Sequence, residues 1–315
     1  MSAPALWCVA PFTAALRPGA MGAGVLVETM YSGISRGTER LVFHGHVPES
    51  EHDRMRGPAQ EGSFAFPVKY GYSAVGRVAE GADEGRVVFA LHPHQTRFRA
   101  EATALVHVPP LVPPDRAVLA ANIETALNIL WDSGAGAGDR IAVIGAGLVG
   151  LLTGYLAARL PGAEVTLVDI DPDRAGIATH LGCAFAPPSE APQNVDVAIH
   201  LSASAEGLGT AIGCAATDAT VVEASWHGAG TTQVALGGAF HSRRLRLVSS
   251  QVGQLPPERR PRWSHTRRLA KALDLLEDNR LDALISGETG FADLPEQYGA
   301  ILSDPATLCH RIRYQ

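Results

Sequence analysis

The pattern of apolar and polar positions changes near residue 118. Before that point, short runs rich in β-branched residues alternate with Gly and Pro turn signals, as is typical of antiparallel strands. Three such runs occupy residues 24–29, 73–79 and 86–90. Prolines at positions 109, 110, 113 and 114 then end this part of the chain. The pattern predicts an antiparallel, barrel-like domain over residues 1–118.

Beyond the prolines, apolar runs of strand length alternate with segments of helical periodicity. Strands are predicted over residues 140–144, 164–169, 195–201, 220–223 and 245–249, and helices over 117–131, 148–160 and 172–181. Strands that alternate with helices predict a parallel sheet covered on both faces, so the fold class is α/β. An amphipathic helix over 266–278 and a strand over 308–314 predict that residues 253–315 return to the first domain.

Composition and charge exclude several classes of protein. Apolar residues make up 46% of the 315 residues, which is ample for buried cores. The formal net charge of -6 favours neither nucleic acid nor an anionic membrane as a partner. Residues 1–16 are apolar, but they lack a basic start and contain Pro11, so they predict an opening strand rather than a signal peptide. The 4 cysteines form no CxxC motif, which favours reduced thiols in a cytoplasmic protein.

A glycine motif of the form GxGxxG occupies residues 141–150 (IAVIGAGLVG). It follows a predicted strand and opens a predicted helix, which is the context that a dinucleotide-binding turn requires. Gly145 is expected to permit the tight turn, Gly147 to admit the pyrophosphate, and Gly150 to let helix and strand pack closely. The pyrophosphate would lie on the amide groups of this helix N-terminus, including those of Leu148 and Val149. A flavin site, a nucleotide-sugar site and an inactive nucleotide fold remain alternatives.

Asp169 ends the next predicted strand, about 20 residues after the motif. Its carboxylate would accept hydrogen bonds from the adenosine ribose and repel a 2′-phosphate, so the predicted cofactor is NAD rather than NADP. Arg174 either stacks on the adenine or is a solvated helix residue.

Ligands in such sheets bind beyond the carboxyl ends of the strands. We therefore expect Ser202 and Ser225 to contact ribose and Ser250 to contact the carboxamide.

Two further strings carry a family resemblance: residues 32–39 (SGISRGTE) and residues 69–76 (KYGYSAVG). Together with the internal position of the glycine motif, they make the chain resemble the medium-chain dehydrogenase/reductase superfamily over nearly its full length. The string from Ser35 to Arg40 is most similar to the bacteriochlorophyllide hydroxyethyl dehydrogenase subgroup. The resemblance implies a GroES-like catalytic domain, a Rossmann NAD-binding domain over residues 119–252, and a cleft between them that holds the nicotinamide.

The chain departs from the zinc-dependent members at each ligand position. Ser35 stands in place of a cysteine, Tyr72 in place of a histidine, and Ala121 or Asn122 in place of the third ligand. These side chains are not the thiolate, imidazole or carboxylate ligands that zinc requires, so we expect no metal. The pairs His44/His46 and His92/His94 could instead bind a metal ion at a different place. On a strand, residues two apart project from the same face, so both imidazoles of a pair could reach one ion. Surface or loop histidines are the simpler interpretation.

Without zinc, another group must polarise or protonate the substrate oxygen. Tyr72 is the first candidate, with Lys69 lowering the pKa of its phenol, although Tyr72 could instead only fill the vacated space. Thr38 matches the hydroxyl that relays protons in the zinc relatives, and Ser35 could join it. Glu124, at the start of a helix, is the second candidate acid or base, and could instead be a cap. Glu39 is either a buried acid or a partner of Arg40.

The preferred hypothesis is a zinc-independent, NAD-dependent alcohol dehydrogenase or ketoreductase. The resemblance implies a secondary alcohol on a polar, possibly cyclic, small metabolite, and a homodimer by analogy. An ene or quinone reductase and a non-catalytic NAD-binding protein are the alternatives.

Overall fold

The computed structural model describes residues 1–314, and these form two compact units. The first, here called the β-rich unit, comprises Met1–Ala121 together with the chain from Thr266 onward. The second, the parallel-sheet unit, comprises Asn122–His265. Residues 253–265, which the sequence pattern assigned to the returning segment, thus lie in the parallel-sheet unit.

Strands predominate in the β-rich unit, whereas strands and helices alternate in the parallel-sheet unit. The strands are β1 (Ser2–Ala10), β2 (Thr13–Ala20), β3 (Val25–Ser35), β4 (Glu61–Gly62), β5 (Val68–Lys69), β6 (Ala74–Val78), β7 (Val87–Ala90), β8 (Arg97–Ala100), β9 (Val106–His107), β10 (Arg140–Ile144), β11 (Glu164–Val168), β12 (Ala184–Ala186), β13 (Val195–His200), β14 (Ala215–Glu223), β15 (Arg246–Ser249), β16 (Ile285–Gly290) and β17 (Cys309–Arg313). The helices are α1 (Arg36–His44), α2 (Ala120–Ser133), α3 (Leu148–Ala157), α4 (Arg174–His180), α5 (Ala205–Cys214), α6 (His265–Asp274) and α7 (Leu294–Ser303).

The β-rich unit, for which the sequence pattern predicted an antiparallel, barrel-like domain, contains two sheets. A 4-stranded sheet has the order β2-β1-β5-β4, and a 7-stranded sheet has the order β16-β17-β3-β6-β7-β9 with β8 paired to β3. The larger sheet is mixed, because β16 and β17 run parallel. Strand β17 pairs antiparallel with β3, so the end of the chain does return to the first part.

Apolar side chains on the inner face of the larger sheet form its core. Val27, Val78, Val88 and Phe98 come from four different strands and are at most 2% exposed. These β-branched and aromatic residues suit a half-buried pleated surface, which explains why the sequence pattern located β6 and β7 to within one residue of their boundaries. For β3 the pattern located the start to within one residue, but the strand continues to Ser35, six residues beyond the predicted run.

The parallel-sheet unit is built on 6 strands in the order β12-β11-β10-β13-β14-β15. All pairs in this sheet are parallel. Its central strands β10 and β13 are apolar over most of their length because both faces are buried. Helix α5 packs on them through Leu208, Ala211 and Ile212.

The last residues of five strands lie in one register across this sheet. Ile144 is level with Val168 and His200, His200 with Glu223, and Glu223 with Ser249. The residues that follow each strand therefore line one edge of the sheet, where the loops that carry the candidate nucleotide site begin.

No helix in residues 1–314 is long and apolar enough to cross a membrane.

Candidate functional site

The glycine turn between β10 and α3 has the backbone geometry that its sequence predicted. Gly145 has a φ of 108°, which L-residues rarely adopt, and a Cβ there would collide with the backbone of Leu201 and Ser202. A Cβ on Gly150 would lie far inside contact distance of the Gly145 carbonyl oxygen. A Cβ on Gly147, by contrast, would meet no atom within 4 Å. The tight turn and the close packing are thus confirmed, and Gly147 leaves an open approach to the helix N-terminus.

Helix α3 begins at Leu148 with Gly147 as its N-cap residue, and no side chain caps its first turn. The amides at this end, including those of Leu148 and Val149, have no acceptor within the helix, because the first four N–H groups of any helix lack an i−4 carbonyl. This arrangement suits an anion. Contact of these residues with a pyrophosphate remains a prediction.

Asp169 directly follows β11 and is anchored by two backbone amides. Its Oδ2 accepts a hydrogen bond from the Ala146 amide at 2.5 Å, and its Oδ1 accepts one from the Asp171 amide at 2.9 Å. A carboxylate has about four acceptor positions, so two remain for ribose hydroxyls. The carboxylate therefore holds the glycine turn and could also bind a ribose.

Arg174 is not the solvated helix residue that was one of the two interpretations. Its side chain is only 13% exposed, and its Nε lies 3.2 Å from Asp171 Oδ2. The ion pair fixes the guanidinium beside the strand end that carries Asp169. Stacking on an adenine remains a prediction.

The three predicted serines are each tied to the carboxyl edge of the sheet. Ser202 Oγ lies 2.7 Å from Nε2 of His200, and the Ser225 amide donates to Oε1 of Glu223 at 2.8 Å. Ser250 Oγ donates to Asp132 Oδ2 at 2.6 Å. All three serines follow strands at the edge where a nucleotide would bind, as the sheet rule predicted, and their contacts with a cofactor remain predictions.

His200 and Glu223 were missed by the sequence analysis. His200 ends the otherwise apolar β13 and is 0% exposed, and its Nδ1 lies 2.7 Å from Glu223 Oε2. Burial raises the pKa of Glu223, but the hydrogen bonds with His200 and the Ser225 amide outweigh it and leave that pKa below the usual value. A histidine that ends a buried strand was the one sequence signal for this pair.

In the β-rich unit, the junction of β3 and α1 brings the predicted hydroxyl groups together. Ser35 is the last residue of β3 and the N-cap residue of α1, so Thr38 and Glu39 lie one helical turn further on, on the same face. Strand β3 pairs with β6, and the Gly33 amide donates to the Ser73 carbonyl at 3.0 Å. This pairing places Tyr72, the residue before Ser73, beside the junction.

The Tyr72 phenol is hydrogen-bonded to the side chains of both Ser35 and Thr38. Burial raises the pKa of Tyr72 to about 12, with a further contribution from the negative charge of Glu39, while the two hydroxyl groups act in the opposite direction. The expectation of a lowered phenol pKa was wrong. Near neutral pH Tyr72 is therefore a neutral hydrogen-bond donor and not a base.

Lys69 does not support Tyr72 in the way that was expected. Its side chain is 1% exposed, and its ammonium group pairs with Glu61 and donates to Gln95 Oε1 at 2.7 Å. Burial lowers the pKa of Lys69, against the raising effect of Glu61. These partners make Lys69 a structural link between β5 and its neighbours, because its charge is already neutralised by Glu61.

Glu39 is a buried carboxylate, 0% exposed, and its hydrogen bonds do not involve Arg40. Its Oε1 accepts from the Ser35 amide at 2.7 Å, and its Oε2 accepts from the Tyr298 hydroxyl at 2.7 Å and lies 3.0 Å from Nε2 of His94. Of the two interpretations, the buried acid is correct. Because it binds the Ser35 amide, Glu39 holds the junction that carries Ser35 and Thr38.

The histidine pairs do not lie on strands. His44 ends α1, and the ring centroids of His44 and His46 are 5.5 Å apart. His92 and His94 are 4% and 0% exposed and lie in a loop, so of the surface and loop interpretations only the loop one holds for this pair. His92 stacks on Phe98 and His94 binds Glu39. Within residues 1–314, the one group of three side chains placed to hold a metal ion is His200, Glu223 and His227.

Glu124 lies in the first turns of α2 and is 4% exposed. Burial of a carboxyl group is compatible with an acid or base and also with a structural role. Its part in catalysis remains a prediction.

The fold defined by these two units is shared by many solved structures of dehydrogenases. L-idonate 5-dehydrogenase from Escherichia coli matches with a TM-score of 0.81 and 14% identity, over 99% of this chain and 98% of that one. An alcohol dehydrogenase (RspB) from Escherichia coli, solved with NADH, matches with a TM-score of 0.76 and 15% identity over 99% of both chains. TarJ from S. aureus, solved with NADPH, matches with a TM-score of 0.77 and 14% identity over 100% of both chains.

These likenesses establish the fold, namely a β-rich GroES-like unit and a Rossmann unit with a parallel six-stranded sheet. No protein-family model and no curated protein matches the chain.

Proposed function

We propose that this protein is a zinc-independent, NAD-dependent alcohol dehydrogenase or ketoreductase of the medium-chain dehydrogenase/reductase superfamily. The observation that carries the proposal is the hydroxyl cluster of Tyr72, Ser35 and Thr38. Hydroxyl groups stand at the positions where the resemblance places two zinc ligands and a proton relay, and they bond to one another. The fold shared with dehydrogenases that bind NADH or NADPH supports the choice of a nicotinamide cofactor.

Tyr72 would supply the hydrogen bond that a metal supplies in the zinc relatives. A phenol with a pKa of about 12 stays protonated at neutral pH, so it can donate to a carbonyl oxygen as negative charge develops there. Thr38 and Ser35 would hold the phenol and pass a proton onward. The nicotinamide, when bound, supplies or accepts the hydride.

The substrate we propose is a secondary alcohol, or its ketone, on a polar small metabolite that is cyclic or open-chain. This choice rests on the resemblance of the string from Ser35 to Arg40 to the bacteriochlorophyllide hydroxyethyl dehydrogenase subgroup. Pairing of two copies through an edge of the six-stranded sheet is proposed by analogy. The edge strand β15, with Leu247 39% exposed, is available for it.

The direct test is turnover by protein treated with a chelator until it is free of metal. We expect such protein to oxidise NADH with saturated cyclic or aliphatic ketones at the rate of untreated protein. Loss of activity that zinc restores, in protein whose fold and NADH affinity the chelator leaves unchanged, would overturn the zinc-independent mechanism. Reduction of the C=C bond of enones or of quinones, identified by product NMR, would favour the ene or quinone reductase. Absence of turnover with every compound would favour the non-catalytic protein.

Asp169→Asn tests the choice of cofactor. The amide oxygen can keep one backbone hydrogen bond, but the negative charge that repels a 2′-phosphate is removed. We expect the ratio of Kd for NADPH to Kd for NADH to fall about tenfold, which corresponds to about 1.4 kcal/mol. Fluorescence titration of both nucleotides measures it, with Asp173→Asn as the control because Asp173 is an exposed carboxylate nearby. An unchanged ratio would mean that Asp169 only anchors the glycine turn.

A further inference from the structure

His200, Glu223 and His227 form a cluster that has no part in the proposed carbonyl chemistry. His200 and Glu223 are register partners on the parallel strands β13 and β14, so their side chains project from the same face of the sheet. His227 follows Glu223 by four residues in the loop after β14. The side chains of Glu223 and His227 are each 20% exposed, and that of His200 is 0% exposed. The cluster is therefore buried on one side and open to solvent on the other.

The three side chains bring potential metal-ligand atoms close together. His200 Nδ1 lies 2.7 Å from Glu223 Oε2, and Glu223 Oε2 lies 3.5 Å from His227 Nε2. One potential ligand atom from each of the three side chains lies within 4.8 Å of the other two. Ligands at about 2.0–2.2 Å from a tetrahedral zinc ion are roughly 3.4 Å apart. The Glu223–His227 distance already meets this spacing. The His200–Glu223 distance would open by about 0.7 Å, which a small rotation of the Glu223 side chain provides.

In each of the three side chains, the nitrogen or oxygen atom that does not face the common centre already has a hydrogen-bond partner. His200 Nε2 lies 2.7 Å from Ser202 Oγ, His227 Nδ1 lies 2.9 Å from Thr232 Oγ1, and Glu223 Oε1 accepts from the Ser225 amide at 2.8 Å. A bound metal ion would replace the proton that joins His200 Nδ1 to Glu223. Both imidazoles could then donate outward through His200 Nε2 and His227 Nδ1, with the lone pairs of the other ring nitrogens directed to the common centre. Partners of this kind fix the tautomer and orientation of metal-bound histidines.

We propose that His200, Glu223 and His227 form a binding site for a divalent first-row transition metal, with zinc as the ion that fits best. Two imidazoles and one carboxylate are an established ligand set for zinc sites that keep a fourth position for water. The solvent-exposed side of the cluster provides that position. The site lies in the parallel-sheet unit, whereas the Tyr72 hydroxyl cluster lies in the β-rich unit, so the two sites share no residue.

Isothermal titration of the chelator-treated full chain with zinc chloride tests the site, and cobalt chloride gives a visible absorption spectrum as a second readout. We expect one zinc per chain and a rise in Tm when zinc binds. No zinc binding at micromolar concentrations would overturn the proposal. Because neither nucleotide nor turnover is needed, the result is separate from the test of the proposed function.

Variants of the two partly exposed ligands locate the ion without replacing the buried His200. We expect His227→Ala and Glu223→Gln each to weaken zinc binding at least a hundredfold and to abolish the zinc-dependent rise in Tm. Thr232→Val, which removes only the outer partner of His227, should weaken binding about tenfold. His180→Ala, an exposed histidine of the same unit, is the control and should bind zinc normally. Loss of binding in a His44→Ala/His46→Ala variant, with His227→Ala unaffected, would overturn the proposal.

Discussion

Replacement of Tyr72 by Phe is expected to lower kcat about 100- to 1000-fold in the proposed reduction. The change removes one hydroxyl group and keeps the ring that packs edge-on against Tyr70 at 6.0 Å. Loss of one hydrogen-bond donor to a developing oxyanion costs about that factor. The Kd of NADH should stay within about twofold of its original value, because the nucleotide elements lie in the other unit. Steady-state kinetics and NADH fluorescence titration measure the two effects.

Tyr70→Phe provides the matched control for this variant. Tyr70 is a neighbouring tyrosine, 7% exposed, and has no place in the hydroxyl cluster, so we expect its kcat within a few-fold of the original. If Tyr72→Phe retained the same kcat as Tyr70→Phe, Tyr72 would only fill the space that zinc occupies in the relatives.

The pH dependence of the original protein gives an independent check on Tyr72. Its raised pKa of about 12 means that the phenol is protonated throughout the range from about pH 6 to pH 10. The folded-state pKa lies above the ordinary value near 10, so ionisation of Tyr72 begins only as the pH approaches 12. A limb of the kcat profile between about pH 6 and pH 9 that disappears in Tyr72→Phe would contradict this assignment.

Gly150→Ala is expected to have the largest effect on the nucleotide site. The new Cβ would collide with the Gly145 carbonyl oxygen, and because that oxygen belongs to the backbone, the turn itself must move. Overpacking of this kind destabilises by about 1–3 kcal/mol, or a fall in Tm of roughly 4–10 °C for this size of unit. The displaced turn would also misplace the amides of α3, so we expect the Kd of NADH to rise more than tenfold. Calorimetry and fluorescence titration measure the two quantities.

Alanine variants of two other glycines distinguish an effect on folding stability from an effect on NADH binding. Gly147→Ala meets no protein atom, so Tm should be unchanged while the Kd of NADH rises about tenfold, because the Cβ occupies the approach to the helix N-terminus. Gly209→Ala, in α5, also meets no atom and should raise stability by about 0.4–1 kcal/mol with normal NADH binding. If Gly147→Ala bound NADH normally, the nucleotide would not lie on this turn.

Features that depend on neighbouring residues were predictable from the sequence. The apolar strand β10, the glycine turn and α3 follow one another within a few residues, so their geometry is local. Gly145, Gly147 and Gly150 could therefore be assigned separate conformational roles before the structure was known. The positions of Ser35 and Thr38 on one face of α1 likewise depend only on helical spacing, and the proximity of Tyr72 was expected from the family resemblance.

Features that join distant parts of the chain were decided by the tertiary structure. Glu39 meets Tyr298, which lies 259 positions away, because α7 packs in the same unit as α1. Lys69 likewise binds Gln95, which lies 26 positions away, and it meets Glu61 through the pairing of β4 with β5. No sequence pattern distinguishes these contacts from the expected support of Tyr72.

The sequence by itself thus determined the α/β class and the glycine turn, and the family resemblance singled out the hydroxyl groups of Ser35, Thr38 and Tyr72. Only the tertiary structure decided the protonation state of Tyr72, the partners of Lys69 and Glu39, and the cluster of His200, Glu223 and His227. The physical reason is that pKa values and convergent ligand sets depend on burial and on cross-strand register. Both arise when residues remote in sequence pack together.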